Sequence, residues 1–480
     1  MDVKIVKRNA PRPAADVVIL PFWKGAIEGG DADLSKAVMA DFKGDKGQLL
    51  LLYQQEAKEP RILLLGLGDP GKVTLESLRT VYAKATHFCR EKLFLSINVM
   101  MPVLKGVSDD DMTEAVVEGI YLANYAFHVH KSKITPETTK LIDSVCLIGA
   151  TAKAKEMAAI CQAVHLARDI VNGNADDVTP EFLAEQAQKV AKGNKSLSAT
   201  VFDAKRIAKE GMGLLMAVSR GSSVEPRFII LTYRGAPKSK DHTVLVGKGV
   251  TFDSGGLNIK PATNMEHQRS DMGGAAAVLG AMKAISELKL PVNVTAVIPS
   301  TENSIDARSY KPGDVYRSYN GTTVEIGNTD AEGRLILADA ISYAVKNLKP
   351  TRIIDIATLT GAIIVALGDE VCGMMSNDDA LVDALTDAGE RTYERVWRLP
   401  LVEEYRTHLK SDRADLKNVG GSGGGSIIAA LFLQAFVENV PWAHLDIAGT
   451  RYLQEGKRYR SKGATGVGVR LLVEYLKQLA

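Results

Sequence analysis

The chain has 480 residues, and its 59 lysines and arginines against 57 aspartates and glutamates leave a formal net charge of +2. With 46% hydrophobic and 24% charged residues it sits at the globular average, which excludes a disordered or fibrous chain. So balanced a charge provides no global field for nucleic acid or an anionic membrane; a nucleic-acid partner stays possible through a local patch, without support from composition.

At about 150 residues per domain the length allows three domains, or two with one large member. The longest apolar stretches, such as IIAALF at 427–432, fall far short of a membrane span. The N-terminus, MDVKIVKRNAPRPAADVV, has no apolar signal core. Cys89, Cys146, Cys161 and Cys372 form no CxxC pair, so neither a zinc–thiolate site nor a disulfide framework is expected. A soluble cytoplasmic protein is the expectation.

In chain order, GQLLLLYQ (47–54) and RILLLGLG (61–68) read as buried strands, 73–92 as a helix, LFLSINVMMPVL (93–104) as strand and 110–127 as helix. This alternation predicts an N-terminal α/β domain over 1–150. A glycine-free, proline-free helical pattern then predicts a linking helix over 151–172, stopped at Asn172-Gly173-Asn174, with another helix starting at Thr179-Pro180. From 173 to 480 strands are predicted at 228–233, 243–249, 292–299, 352–358 and 443–449. Helices are predicted at 274–288 and 333–348. The fold class is therefore α/β in two domains, the larger with a central mixed sheet flanked by helices. GGSGGGS (420–426), before an apolar helix, reads as a mobile loop.

Gly66-Leu67-Gly68-Asp69-Pro70-Gly71 has the GxGxxG form between a strand and a helix, the setting of a dinucleotide fingerprint. Pro70 removes a backbone donor where the pyrophosphate would sit, and the next strand ends without the acid that holds the ribose. The stretch reads as a tight strand-to-helix turn, with a nicotinamide-dependent oxidoreductase as the competing reading.

Three denser blocks follow: VGKGVTFDSGG with Lys248 and Asp253, leading to Lys260; RSDMGGAAAV with Asp271; and NTDAEGRL with Asp330, Glu332 and Arg334. Each has a plain structural reading: Asp253-Ser254-Gly255 as a turn, Asp271 as a helix cap, Thr329 with Glu332 as a capping box. Gathered at strand ends, where α/β sheets open their ligand crevice, four carboxylates would repel one another unless cations joined them. Two divalent ions balance the charge of Asp253, Asp271, Asp330 and Glu332. A pair of metals about 3.5–4 Å apart can activate a water and polarise a carbonyl. No histidine falls in these blocks, so manganese, cobalt or magnesium could serve as well as zinc. His444 reads as a satisfied strand-end residue and His267 as a loop residue.

VGKGVTFDSGGLNIKP, RSDMGGAAAV and the signature NTDAEGRL, with ARDIVN, IIDIATLTGA and WAHLDIAGT, resemble the leucyl (cytosol) aminopeptidases over roughly 165–480. The resemblance implies a metal-dependent enzyme removing N-terminal residues from peptides with a free N-terminus, with two zinc or manganese ions per subunit. Asp253 and Glu332 would bridge the metals, Lys248 and Asp271 would complete the tighter site, and Asp330 the looser one. Lys260 would act as electrophile on the scissile carbonyl, and Arg334 would hold a bicarbonate that relays a proton to the leaving amine. Gln268, Asn328, Thr358, Leu359 and Gly361 would border the substrate, and the assembly would be a homohexamer. Some members of that family also bind DNA as architectural proteins, so the resemblance leaves a DNA-binding role beside or instead of catalysis as a second alternative. Gln268-Arg269 stands where the family commonly has Met-Lys, so an amide without a partner in the first-residue pocket would weaken any preference for leucine.

Overall fold

A computed structural model of the chain describes residues 1–25, 36–55, 57–135, 139–421 and 423–480. It divides into two compact units, Met1–His165 with Gln454–Lys462, and Leu166–Leu453 with Gly463–Ala480. Among the described residues no helix is long and apolar enough to cross a membrane.

The first unit holds a six-stranded sheet: β1 (Asp2–Val6), β2 (Val17–Trp23), β3 (Leu49–Tyr53), β4 (Arg61–Gly68), β5 (Ser96–Met100) and β6 (Ser144–Ile148), in the order β1-β6-β5-β2-β4-β3. Neighbours run parallel except β3 and β4. Helix α1 (Leu75–Glu91) starts at a capping box between Thr74 and Ser77. Helix α2 (Asp109–Ala123) starts at Ser108, with Asp109, Asp110 and Asp111 in the positive first turn. The two helices share a buried ion cluster in which Arg79 meets Glu118 and, at 3.8 Å, Glu114.

The glycines at the end of β4 serve the chain itself. The amide of Gly66 donates to Gln48 O (2.8 Å), that of Gly68 to Gly44 O (2.9 Å), and a Cβ on Gly66 would fall 2.1 Å from Asp45 O. Beyond them, Asp69 accepts from Gly71 N at 2.9 Å and caps a short 3-10 turn. The amide donors of this turn are thus committed within the fold, and the dinucleotide reading falls.

Helix α3 (Lys153–Asn172) contains the division between the units and ends at Gly173, where a Cβ would strike Val178 at 2.3 Å. Thr179 then caps α4 (Pro180–Ala191).

The second unit carries a nine-stranded mixed sheet built from β7 (Leu197–Phe202), β8 (Arg227–Arg234), β9 (Thr243–Gly247), β10 (Gly249–Asp253), β11 (Asn293–Asn303) and four later strands. Skipping the small sheet strands β12 (Val315–Arg317), β13 (Thr323–Glu325) and β17 (Leu416–Lys417), these are β14 (Arg352–Ala357), β15 (Cys372–Ser376), β16 (Val396–Arg398) and β18 (Trp442–Asp446). The order is β16-β15-β18-β14-β9-β11-β8-β7 with β10 beside β11, and the central run β18-β14-β9-β11 is parallel. Helix α5 (Gly273–Leu288) packs on β9 and on the C-terminal helix Val469–Gln478. Helix α6 (Glu332–Tyr343) and the helix Gly425–Gln434 share a core with Val244, Val246, Ile353 and Trp442.

In the first unit the predicted strand 93–104 shortens to Ser96–Met100 and the predicted helix 110–127 ends at Ala123; two further differences lie in the second unit. The predicted strand 243–249 breaks at Lys248, whose amide goes to Ile356 O at 3.1 Å before the chain resumes as β10. The predicted helix 333–348 is α-helical only to Tyr343 and widens into a π turn over Ala344–Leu348. The glycine-rich stretch leads directly into the helix at Gly425, and its Ser422 lies outside the described residues.

Candidate metal centre

The centre lies where several chain segments leave the carboxyl ends of the parallel strands. Lys248 follows β9, Asp253 ends β10, Thr358 follows β14, Asp271 precedes α5 and Glu332 opens α6. Gly274 allows this convergence: a Cβ there would sit 2.0 Å from Ile356 O and 2.8 Å from Lys248 N, so only glycine lets the helix approach the strand ends.

Around this point the side chains interlock. The Lys248 amine lies 2.9 Å from Asp271 Oδ1, 2.9 Å from Glu332 Oε1 and 2.9 Å from Thr358 O. Lys260 lies 2.8 Å from Asp253 Oδ2 and also pairs with Asp330. One carboxylate oxygen from each of Asp253, Asp330 and Glu332 falls within 4.8 Å of the others. Thr358 Oγ1 donates to Asp271 Oδ1 at 2.5 Å.

Burial and charge set the protonation of the cluster. Burial, with Glu332 and Asp271 close by, pushes Asp253 up to about 7. Asp330 rises to about 6 through burial and the charges of Asp253 and Glu332. Burial pulls the Lys248 ammonium down, but Asp271, Glu332 and Asp253 outweigh it and hold the amine above ordinary lysine. Lys260 is raised in the same way by Asp253, Glu332 and Asp330. Fully ionised, four carboxylates against two ammonium groups would leave the cluster two charges short of neutrality, and the raised carboxylate pKa values reflect that excess. A donor set of carboxylates, with neither imidazole nor thiolate, suits hard divalent cations.

The plain structural readings fare unequally. The Asp253 turn forms, with Gly255 N donating to Asp253 Oδ1 at 2.9 Å. Asp271 is not the N-cap of α5, where Met272 holds the position without a side-chain cap; it closes the 3-10 turn Gln268–Ser270 instead. Thr329 and Glu332 form no capping box. Thr329 Oγ1 instead donates to Gly255 O (2.7 Å) and accepts from Asn258 N (2.8 Å), tying one loop to the other.

The remaining residues divide. Arg334 is buried beside the cluster, donates through Nη1 to Asn418 O at 2.7 Å, and has no partner at Nε among the described residues. Burial lowers it to about 10, against the pull of Glu332 and Asp446. Asn328 spends its side chain on its own loop, accepting from Asp330 N at 2.8 Å. Leu359 is anchored by its amide on Asp446 Oδ1 (3.1 Å), and a Cβ on Gly361 would meet open space. Gln268, half-buried, donates its amide to Asn264 O at 2.8 Å. The unpartnered amide expected there is therefore absent.

His444 is not at a strand end. It lies fully buried in the middle of β18, with Nδ1 2.6 Å from Asp355 Oδ1 and Nε2 unpartnered. His267 stacks on Tyr452 with ring centroids 4.9 Å apart.

Sequence reasoning missed three supports. Asn303 Nδ2 bridges Asp253 Oδ1 (2.8 Å) and Thr329 O (3.0 Å). Tyr310 OH donates to Thr329 O at 2.7 Å. Asn418 receives Gly327 N (2.7 Å) and Arg334. The only signal for Asn303 was a polar residue closing an apolar strand; the other two had none.

A mixed α/β sheet with a buried carboxylate–lysine cluster at its strand ends is an arrangement that metal-dependent α/β enzymes use. Family comparison places the chain within that class. Residues 165–473 match the cytosol aminopeptidase family catalytic domain and residues 32–134 its N-terminal domain. The chain belongs to the cytosol aminopeptidase family, and is thereby an aminopeptidase, a hydrolase. It is 52% identical over 495 residues to a probable cytosol aminopeptidase of Protochlamydia amoebophila, covering 100% of this chain and 99% of the relative. Among solved structures it resembles the bottromycin maturation enzyme BotP in complex with Mn (TM-score 0.88, 35% identity, 97% of this chain and 100% of the other). It also resembles a mutant of tomato leucine aminopeptidase (TM-score 0.87, 33% identity, 99% and 97%).

Proposed function

We propose that the protein removes the first residue from peptides with a free N-terminus, using two divalent ions, manganese or zinc, held by Lys248, Asp253, Asp271, Asp330 and Glu332. The observation that carries this reading is the clustering of four carboxylates and two lysines within hydrogen-bond reach of one another. When bound, the ions supply Lewis acidity that activates water and polarises the scissile carbonyl. The chain's own groups do the rest. Lys260, tethered between Asp253 and Asp330, aims an ammonium at the developing oxyanion. Asn303 and Gly255 hold Asp253 in place, and Thr358 holds Asp271.

Arg334 fits a bicarbonate: a buried guanidinium with Nε unpartnered, at the start of α6, favours a small anion that can carry a proton to the leaving amine. Gln268, Thr358, Leu359 and Gly361 border the first residue, and Asn328 shapes the loop beneath. We place the enzyme in the cytoplasm, in keeping with four free cysteines and relatives named for the cytosol. Val365 and Trp397, 91% and 63% exposed, favour association into the family's homohexamer.

The test is hydrolysis of aminoacyl anilides by metal-stripped enzyme before and after addition of manganese or zinc. Activity that depends on the added metal, and is lost on N-acetylated substrates, supports the reading. Equal cleavage of free and acetylated substrates refutes it.

A further inference from the structure

Among the described residues Arg451 has no acidic partner within ion-pair distance. Its Nε donates to Ser270 Oγ at 2.9 Å and its Nη1 to Ala448 O, both neutral acceptors. The nearest acids are already engaged: Asp271 with Lys248 and Thr358, and Asp446 with Leu359 N and Thr360. Those two carboxylates still raise the guanidinium against the depression that burial imposes. A guanidinium has five donors, and two are used.

Its position is the second half of the argument. A Cβ built on Gly273 would touch Thr358 Cγ2 (3.4 Å), Ile447 Cδ1 (3.6 Å) and Arg451 Cβ (3.7 Å), so the stem of Arg451 starts beside Thr358, while its guanidinium reaches Ser270, the neighbour of Asp271. Thr358 also bonds Asp271, which joins that region to the metal centre. A Cβ on Gly361, three residues beyond Thr358, would meet open space. A residue whose α-amine is held at the cluster would extend its side chain along Thr358 toward Arg451.

We propose that Arg451 selects the first residue of the substrate by pairing with a side-chain carboxylate, so that peptides beginning with glutamate or aspartate are the favoured class. This rests on the aminopeptidase reading and narrows it. A bidentate guanidinium–carboxylate pair supplies geometry as well as charge, whereas a leucyl side chain would bury against unpaired donors.

The experiment compares kcat/KM for glutamyl, aspartyl, leucyl and methionyl anilides with full-length, manganese-loaded enzyme, alongside calorimetric titration of L-glutamate and L-leucine. The wild type should favour the glutamyl over the leucyl substrate by about ten-fold or more. Arg451→Met should reverse that order and abolish glutamate binding, while Arg451→Lys keeps the acidic preference. Preference for leucyl substrates in the wild type overturns the proposal. So does an equal fall on all substrates in Arg451→Met, which would make Arg451 only a tie between Ser270 and Ala448. If Arg451→Met fails to fold, the wild-type ratio and Arg451→Lys still decide. Absence of hydrolysis on every substrate with every metal would instead remove the aminopeptidase reading itself.

Discussion

Lys248 and Lys260 each place one positive charge among the carboxylates, and their surroundings give them different work. Lys248 is fully enclosed by Asp271, Glu332 and Thr358, whereas Lys260 is less buried and reaches Asp330 at the edge of the cluster. Lys260→Ala should therefore lower kcat by about 10²–10³-fold, the usual loss when one donor to a developing oxyanion is removed. Arg334→Ala should cost less, because water can partly replace a proton relay, and added bicarbonate should speed the native enzyme but not this variant. Steady-state kinetics of both variants, with and without bicarbonate, checks the order.

His444 offers a pH test away from the reacting atoms. Burial lowers its pKa, but Asp355 at 2.6 Å outweighs burial and holds the imidazole above a free histidine. A raised folded-state pKa contributes stability that is complete below about 6.5 and is lost as pH rises through the folded value. The melting-temperature gap between wild type and His444→Gln should be widest near pH 6 and narrow toward pH 9. A gap independent of pH would mean that the pair is neutral.

Among the elements, the start of α6 does most to shape the centre. Gly333 faces the Lys248 side chain so closely that a Cβ would lie 2.6 Å from Cε and 2.7 Å from Nζ. Lys248 is pinned by three partners and has little room to move, so Gly333→Ala should displace its amine. A displacement of this size typically costs about 10²-fold in rate. The helix itself should persist, since alanine is a better helix former than glycine. Kinetics together with thermal melting would separate the two effects: a large loss of kcat with a melting temperature within a few degrees of native. The reverse pattern would mean that Gly333 serves packing alone.

On the scale of the whole chain, metal uptake and association are the accessible measurements. In the metal-free cluster Lys248 is an ammonium bonded to Asp271, Glu332 and Thr358 O, with the charge of Asp253 close by, and it can ligate only after losing its proton. Metal binding should therefore release protons, and apparent affinity should rise with pH by about ten-fold per unit for each proton released. Calorimetry in buffers of different ionisation enthalpy counts them; zero protons released would exclude Lys248 as a ligand. For association, Val365→Glu should weaken the proposed homohexamer in sedimentation runs by replacing a 91% exposed apolar side chain with a charge; a native-like assembly in that variant would take Val365 out of the contact.

The α/β alternation, the helix over Lys153–Asn172, the cap at Thr179 and the three acidic blocks were legible because they rest on local chemistry. Hydrophobic period, turn formers and capping residues act within a few positions of one another. The charge argument was also available from the chain alone, since four acids and two lysines at strand ends need counter-charges wherever they meet. Tertiary structure alone decided what each group bonds. The glycine amides of β4 bonded Gln48 and Gly44 rather than a nucleotide, Thr329 tied two loops instead of capping a helix, and Gln268 found Asn264. It also supplied Asn303, Tyr310 and Asn418 to the cluster from segments far along the chain, and left Arg451 without a described acid within ion-pair distance. Hydrogen bonds and ion pairs depend on positions a few ångströms apart in space, and only closing the sheet brings residues 250, 330 and 450 to the same place.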